Sequence, residues 1–108
     1  MPWRVVDLEH PDVDDMEVSA VLFALSDPAR LAIVRQLAIP GEQATCQSVA
    51  VDMPKSTRSH HLKVLREAAV VRADSRGRER LLTLRREDIE SRWPGLLSAV
   101  LAEQPVSG

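Results

Sequence analysis

Ser56, Thr57, Ser59, His60 and Lys63 put three hydroxyls, an imidazole and an ammonium into one short span of the chain. Short hydrogen-bonding groups beside a cation suit base edges and phosphate oxygens better than they suit bond-making chemistry. Their spacing predicts a helix over residues 55–68. At about 100° per residue, Arg58, Leu62, Leu65 and Ala69 share one side, and Ser56, Ser59, His60, Lys63 and Glu67 share the other. Lys55 and Arg58 add charge to the same helix and join the DNA-facing set. A hairpin follows, with strands at 70–74 and 79–84 around a turn at 75–78. It carries Arg72, Arg76, Arg78 and Arg80. A polar helix face followed at once by an arginine-tipped hairpin predicts a recognition helix and a wing.

The charge pattern agrees with that reading. The chain has a net charge of −2, yet residues 54–86 hold ten Lys and Arg against three Asp and Glu. The remainder holds four Lys and Arg against thirteen Asp and Glu. A basic block in an otherwise acidic chain is the footprint of a polyanion site. The bland reading is a solvated basic face, and Arg72 and Arg80 can simply balance Asp74 and Glu79 across the hairpin.

The elements that must position these residues come in order. Residues 1–13, interrupted by Pro2 and Pro11, read as an acidic arm. Asp14 or Asp15 is expected to cap a helix to Leu25 with an apolar stripe of Val18, Val21, Leu22 and Leu25. Asp27 and Pro28 start a second helix, as N-cap and first helical residue. It buries Leu31, Ile33, Val34 and Leu37 and leaves Arg30 and Arg35 off the stripe; Pro40-Gly41 ends it. A connector at 42–46 leads to a short helix at 47–52, and Met53-Pro54 turns into the long helix. That pair forms the expected helix-turn-helix, 47–68. A charged helix at 85–92, a break at Trp93-Pro94-Gly95 and an apolar helix from Leu96 close the chain.

LSDPARLAIVRQL at 25–37, STRSHHLKVLREA at 56–68 and the hairpin with Gly77 resemble the ArsR/SmtB family of bacterial winged-helix repressors. The resemblance covers roughly 18–84 in register. It implies a homodimer that binds operator DNA and releases it on a signal. Carried over by position, it assigns Ser56, Thr57, Ser59, His60 and Lys63 to the recognition helix and Arg76 and Arg78 to the wing tip. Departures are visible. Pro54 stands where the family has a serine cap, and Ala69 stands where it has glycine. Arg58 replaces a small or apolar residue, so it must snorkel outward or pair with a carboxylate. The family's two-cysteine metal motif is reduced to Cys46, and of the His and acidic ligands of its other metal site the last helix offers only Glu103.

The fold expected is therefore mostly α (α+β): a winged helix-turn-helix of about five helices and a two-stranded hairpin wing, 70–84, in one domain of 108 residues. Helices 14–25 and 94–103 carry more apolar surface than one small core needs. They predict a homodimer interface through Val18, Val21, Leu22, Leu25, Leu97, Val100 and Leu101. No metal and no cofactor is expected. Adjacent His60 and His61 point apart on a helix, and His61 lies nearer the buried side. An arm site of His10, Asp12 and Asp14 is conceivable, though such acidic segments more often just solvate. Cys46 near a helix start could have a lowered pKa and sense thiol chemistry, or simply fill space. Trp93 could line an effector pocket or plug the core. A small-molecule or redox effector stays open.

There is no glycine-rich phosphate loop, nucleophile elbow or paired carboxylate in an apolar setting, so catalysis is not expected. A single cysteine and no membrane span or signal sequence point to a cytoplasmic protein. The alternative is a winged-helix module that binds protein rather than DNA.

Overall fold

The junction of the first two helices shows how tightly local chemistry sets this fold. The computed structural model describes residues 11–39 and 44–102. Asp27 has extended backbone and accepts hydrogen bonds from the Ala29 amide at 2.8 Å and the Arg30 amide at 3.3 Å. That satisfies two of the four donors a helix start leaves open, and Pro28 at the first position has no N–H to satisfy. The elements are α1 (Val18–Leu25), α2 (Pro28–Leu37), β1 (Ala44–Thr45), α3 (Lys55–Glu67), β2 (Val71–Arg76), β3 (Glu79–Leu84), α4 (Arg86–Arg92) and α5 (Leu96–Ala102).

The core is assembled from one face of each element. Val21, Ile33, Val34, Leu65, Val70, Val71, Ile89 and Leu97 are fully enclosed. α3 packs on α1, α2 and β2, and α2 also touches β3. Leu65 sits at the centre of that packing, so Leu65→Ala would cost about 2–5 kcal/mol through lost burial and the cavity left behind.

Several expectations are corrected. Asp14 and Asp15 do not cap α1; they lie in a 3-10 turn at Val13–Asp15, and α1 starts behind Glu17 without a side-chain cap. Residues 47–52 form turns rather than a helix, and Ala50 there has φ +49°. A nucleus so short gains too few hydrogen bonds to hold itself as a helix. The hairpin is tighter than expected. Arg76 pairs with Glu79, so only Gly77 and Arg78 form the loop. Gly77 at φ +64°, with no positive φ at Arg78, is the type II′ pattern, which matches strand twist. The sheet has three strands rather than two, in the order β1-β3-β2, because Ala44 and Thr45 pair with Leu82 and Leu81.

The predicted interface set also divides. Val21, Leu25 and Leu97 belong to the chain's own core: Val21 and Leu25 on α1, which packs on α2 and α3, and Leu97 on α5, which packs on α4. Val100 and Leu101 are half-buried against that core. Val18 and Leu22 are exposed, and Phe23, absent from the predicted set, is 63% exposed. The arm and His10 lie outside the described residues, apart from its last three positions. Trp93 is half-buried against the core, its ring 5.0 Å from the Arg92 guanidinium.

Candidate nucleic-acid interface

α3 is built to be held at its C-terminus and open at its start. Pro54 precedes it with extended backbone and offers no side-chain cap, so the first-turn amides carry none. The far end is locked. The Val70 amide bonds the Leu65 carbonyl at 2.9 Å, and the Ala69 amide bonds that of Arg66 at 3.0 Å. This is a Schellman closure, and it places Ala69 at φ +67°. Glycine would adopt that angle without strain, but Ala69 is fully enclosed and its methyl packs in the core.

The outer face of α3 is as the periodicity predicts. Ser56, Thr57, Ser59, His60 and Lys63 lie along it, and all but the partly covered positions of the helix's inner side are open to solvent. Among the described residues, none of those five side chains forms an ion pair or a hydrogen bond within the chain. They are available to a partner.

His61 is half-buried instead. Its Nδ1 lies 3.3 Å from an Arg30 guanidinium nitrogen, and its ring is 5.8 Å from that of His60. Arg30 itself was expected off the apolar stripe, yet it is buried, with 6% exposed. Its Nε donates to the Ala24 carbonyl at 2.7 Å and a terminal nitrogen reaches the Phe23 carbonyl at 3.3 Å. Helix α1 needs this donor. Ala24 would ordinarily accept from the amide four residues on, and Pro28 has none. The arginine thus closes α1 and braces α3. The Asp-Pro-x-Arg spacing is the signal that could have revealed it.

Arg58 and Lys55 leave the outer face at the other flank. Arg58 neither snorkels fully nor meets a carboxylate; it makes a long 3.5 Å contact to the Val49 carbonyl. With Lys55, Ser59, Arg66 and Arg80 it lines a cleft between α3 and the sheet, and Cys46 lines the same cleft. Half-burial pushes the Cys46 thiol above its ordinary value, although Arg80, Arg58 and Arg66 oppose that rise. Of the two readings open for Cys46, a thiol raised in this way favours the space-filling one over the reactive one. Among the described residues no cluster of His, Cys, Asp and Glu could hold a metal ion.

The wing presents Arg76 and Arg78 in solvent at its tip. Arg72 pairs with Asp74 along its own strand, Nε to Oδ2 at 3.0 Å, rather than across the hairpin. Residues two apart on a strand share a face, which is why they meet. Arg80 points inward to the cleft.

A three-helix core with a helix of free polar side chains and a basic hairpin beside it defines a winged helix-turn-helix protein. A helix-turn-helix domain family model matches residues 25–73. The HTH-type transcriptional regulator YceK of Bacillus subtilis is 34% identical over 89 residues, covering 81% of this chain and 89% of that protein. Among solved structures, an ArsR family transcriptional regulator superposes with TM-score 0.62 at 22% identity, covering 81% of this chain and 98% of its own. The repressor BigR from Xylella fastidiosa superposes with TM-score 0.55 at 23% identity, over 81% of this chain and 88% of its own. The chain belongs to the helix-turn-helix transcriptional regulators, and its fold is that of the ArsR family. Regulators of this family bind DNA. No helix among the described residues is long and apolar enough to cross a membrane.

Proposed function

We propose that this regulator is a homodimeric repressor that reads an operator palindrome with α3 and lays its wing along the flanking backbone. The observation that carries the reading is the unpartnered row of Ser56, Ser59, His60 and Lys63 beside the solvent-exposed Arg76 and Arg78. Hydroxyls and imidazole supply donors and acceptors for base edges, and the cations supply phosphate attraction. Repression is favoured by the likeness to BigR, a structure described as a transcriptional repressor.

Dimerisation follows from the footprint. One α3 spans too few base pairs for a genomic site, and a two-fold axis would set two of them about 34 Å apart, one DNA turn. The apolar surface left for that interface is Val18, Leu22 and Phe23 on α1, with Val100 and Leu101 on α5. A stable monomer at micromolar concentration in sedimentation would contradict it.

The experiment is titration of duplexes selected from random DNA. Ser59→Ala and His60→Ala should relax sequence preference with modest loss of overall affinity. Binding that is weak at low salt and blind to sequence would refute the reading and favour a protein-docking winged helix. Release is assigned to a signal other than thiophilic metals. Zinc, cadmium and arsenite should each leave operator affinity unchanged, and a tenfold loss, about 1.4 kcal/mol of coupling, would refute this.

A further inference from the structure

The edge of α3 where Ser59 ends the outer face and the helix turns toward the sheet closes one side of a cleft of about 330 Å³. Lys55, Ser59 and Arg66 line it at four- and seven-residue spacing, one stripe of the helix, with Arg58 alongside. Arg80 enters from β3 on the opposite wall. No carboxylate among the described residues lines it, so four cations converge without a counter-ion. Arg66 Nε is closed off from solvent and has no hydrogen-bond partner. That nitrogen is out of reach of a solute, so Arg66 would meet an ion in the cleft with its terminal nitrogens and its charge. Arg85 Nη1 is likewise buried without a partner, but Arg85, like Arg72, has a carboxylate beside it. Arg72 has Asp74 and Arg85 has Asp88, each at 3.0 Å.

From this we propose that the cleft is a binding site for a small, doubly charged oxoanion of the phosphate or sulfate type, which acts as an effector. Two guanidinium forks facing across a cleft suit the paired oxygens of such an ion, and the Ser59 hydroxyl adds a short donor. The anion is a free one rather than a backbone phosphate of DNA. A duplex meets the outer row of Ser56, His60 and Lys63, whereas Arg66 and the half-buried Arg80 lie behind it, within reach of a small solute. Cleft volume many times that of one water, roughly 30 Å³, leaves room for the ion and part of its hydration. Occupancy would cancel two charges of the basic block directly beneath the reading helix. It would thereby lower DNA affinity by reducing the attraction to phosphates. This last step rests on the operator-reading proposal; the site itself does not.

The test uses the full chain without DNA. Inorganic phosphate is titrated at low ionic strength and followed by amide chemical shifts and by calorimetry. Saturable binding of one phosphate per chain is expected, weakened about tenfold or more by Arg66→Gln and by Arg80→Gln and unaffected by Arg86→Gln. Because Arg66 and Arg80 are half-buried, Lys55→Gln at an exposed position serves as a second variant, and it too should weaken binding. Absence of saturation in the millimolar range for the wild-type chain, or binding indifferent to all three cleft variants, would overturn the site. If phosphate fails to bind while Arg66→Gln weakens DNA binding, the occupant is a DNA phosphate and the free-anion proposal is wrong. A second arm compares DNA affinity in phosphate and in chloride at matched ionic strength. Phosphate should reduce it further in the wild type and not in Arg66→Gln. Phosphate binding with DNA affinity equal in both salts would overturn the regulatory role, and a chain that ignores DNA altogether would refute the operator reading while the first titration still judges the cleft.

Discussion

Replacing Arg30 by methionine should destabilise the protein by roughly 2 kcal/mol, and the structure shows where that comes from. The guanidinium is the donor to the Ala24 carbonyl at 2.7 Å, a group whose ordinary helical partner is abolished by Pro28. Methionine fills the space and offers nothing, leaving a buried carbonyl unpaired at about 1–3 kcal/mol. The Phe23 carbonyl is safer, because the Ser26 amide and hydroxyl also reach it, at 3.1 and 2.7 Å. Loss of the cation over the Phe23 ring, 5.2 Å away, adds about 0.5–1 kcal/mol at an exposed site. Against these stands the relief of removing a charge from a buried position, which can be substantial when an isosteric apolar residue takes over. With no carboxylate bonded to Arg30, the carbonyl loss outweighs that relief because it persists in the variant. A domain of this size loses about 4–8 °C of melting temperature per kcal/mol, so thermal unfolding should shift down by about 10 °C. Arg30→Lys should recover part of the loss, since an ammonium can serve Ala24 but cannot also reach His61. A melting temperature for Arg30→Met equal to or above that of the wild type would refute the reasoning.

Other expectations follow from the same geometry. Replacing both Arg76 and Arg78 by glutamine should weaken binding to all duplexes alike and flatten the salt dependence by roughly one unit of log–log slope for each DNA phosphate no longer neutralised. Unchanged affinity at physiological salt would refute the wing's role. Asp27→Ala should cost about 1 kcal/mol in chemical denaturation, the usual loss for a helix cap. The Ala29 amide holds the Asp27 carboxyl below its ordinary value despite partial desolvation, helped by the Arg30 amide and by the charges of Arg30 and His61. A depressed folded pKa contributes stability that is complete above the unfolded value and lost as pH falls through the folded one; acid titration of stability in wild type and Asp27→Asn checks this. Cys46, with its thiol raised by burial, should react slowly with a disulfide reagent at neutral pH and faster as pH climbs toward that raised value. Rapid neutral labelling would mean the thiol is more exposed and more acidic than its surroundings allow.

What can be read from the chain, and what cannot, divides by how local the cause is. The stripe of Leu62 and Leu65, the Asp27-Pro28 start and the outer face of α3 depend on spacing along one helix, and each stands as the spacing requires. Ala69 in the left-handed conformation is legible for the same reason, as the closing residue of a helix. Gly77 marks the turn but not its length, because two- and four-residue loops share the same glycine signal. Residues 47–52 mislead because their few apolar positions fit a helical period, while the turns they form depend on Ala50 and on the packing of Val49. The failures at Val21, Leu25 and Leu97 are of another kind. An apolar stripe says that a face is covered, and only the tertiary structure says whether the cover is the same chain or a second one. Arg30 and Arg66 escape a reading by periodicity because burial of a cation depends on carbonyls and cavities supplied by distant segments.

The order of strands in the sheet bears on how this protein survives its own synthesis. β3 lies between two neighbours, paired along its length with β2 and at Leu81 and Leu82 with β1, while β2 closes the sheet on one edge. An edge strand of six residues is long enough to template pairing with another copy, the first step toward a precipitate. β2 alternates buried Val71 and Ala73 with Arg72, Asp74 and Arg76 on its other face. Charged side chains at every second position of an edge make stacking of like strands costly, and β1, at the opposite edge, is only two residues long. The charges that would tune the wing for a polyanion therefore also guard it against itself. Neutralising Arg72, Asp74 and Arg76 together should leave the fold standing and its solubility reduced, most plainly at the high concentrations reached during overexpression.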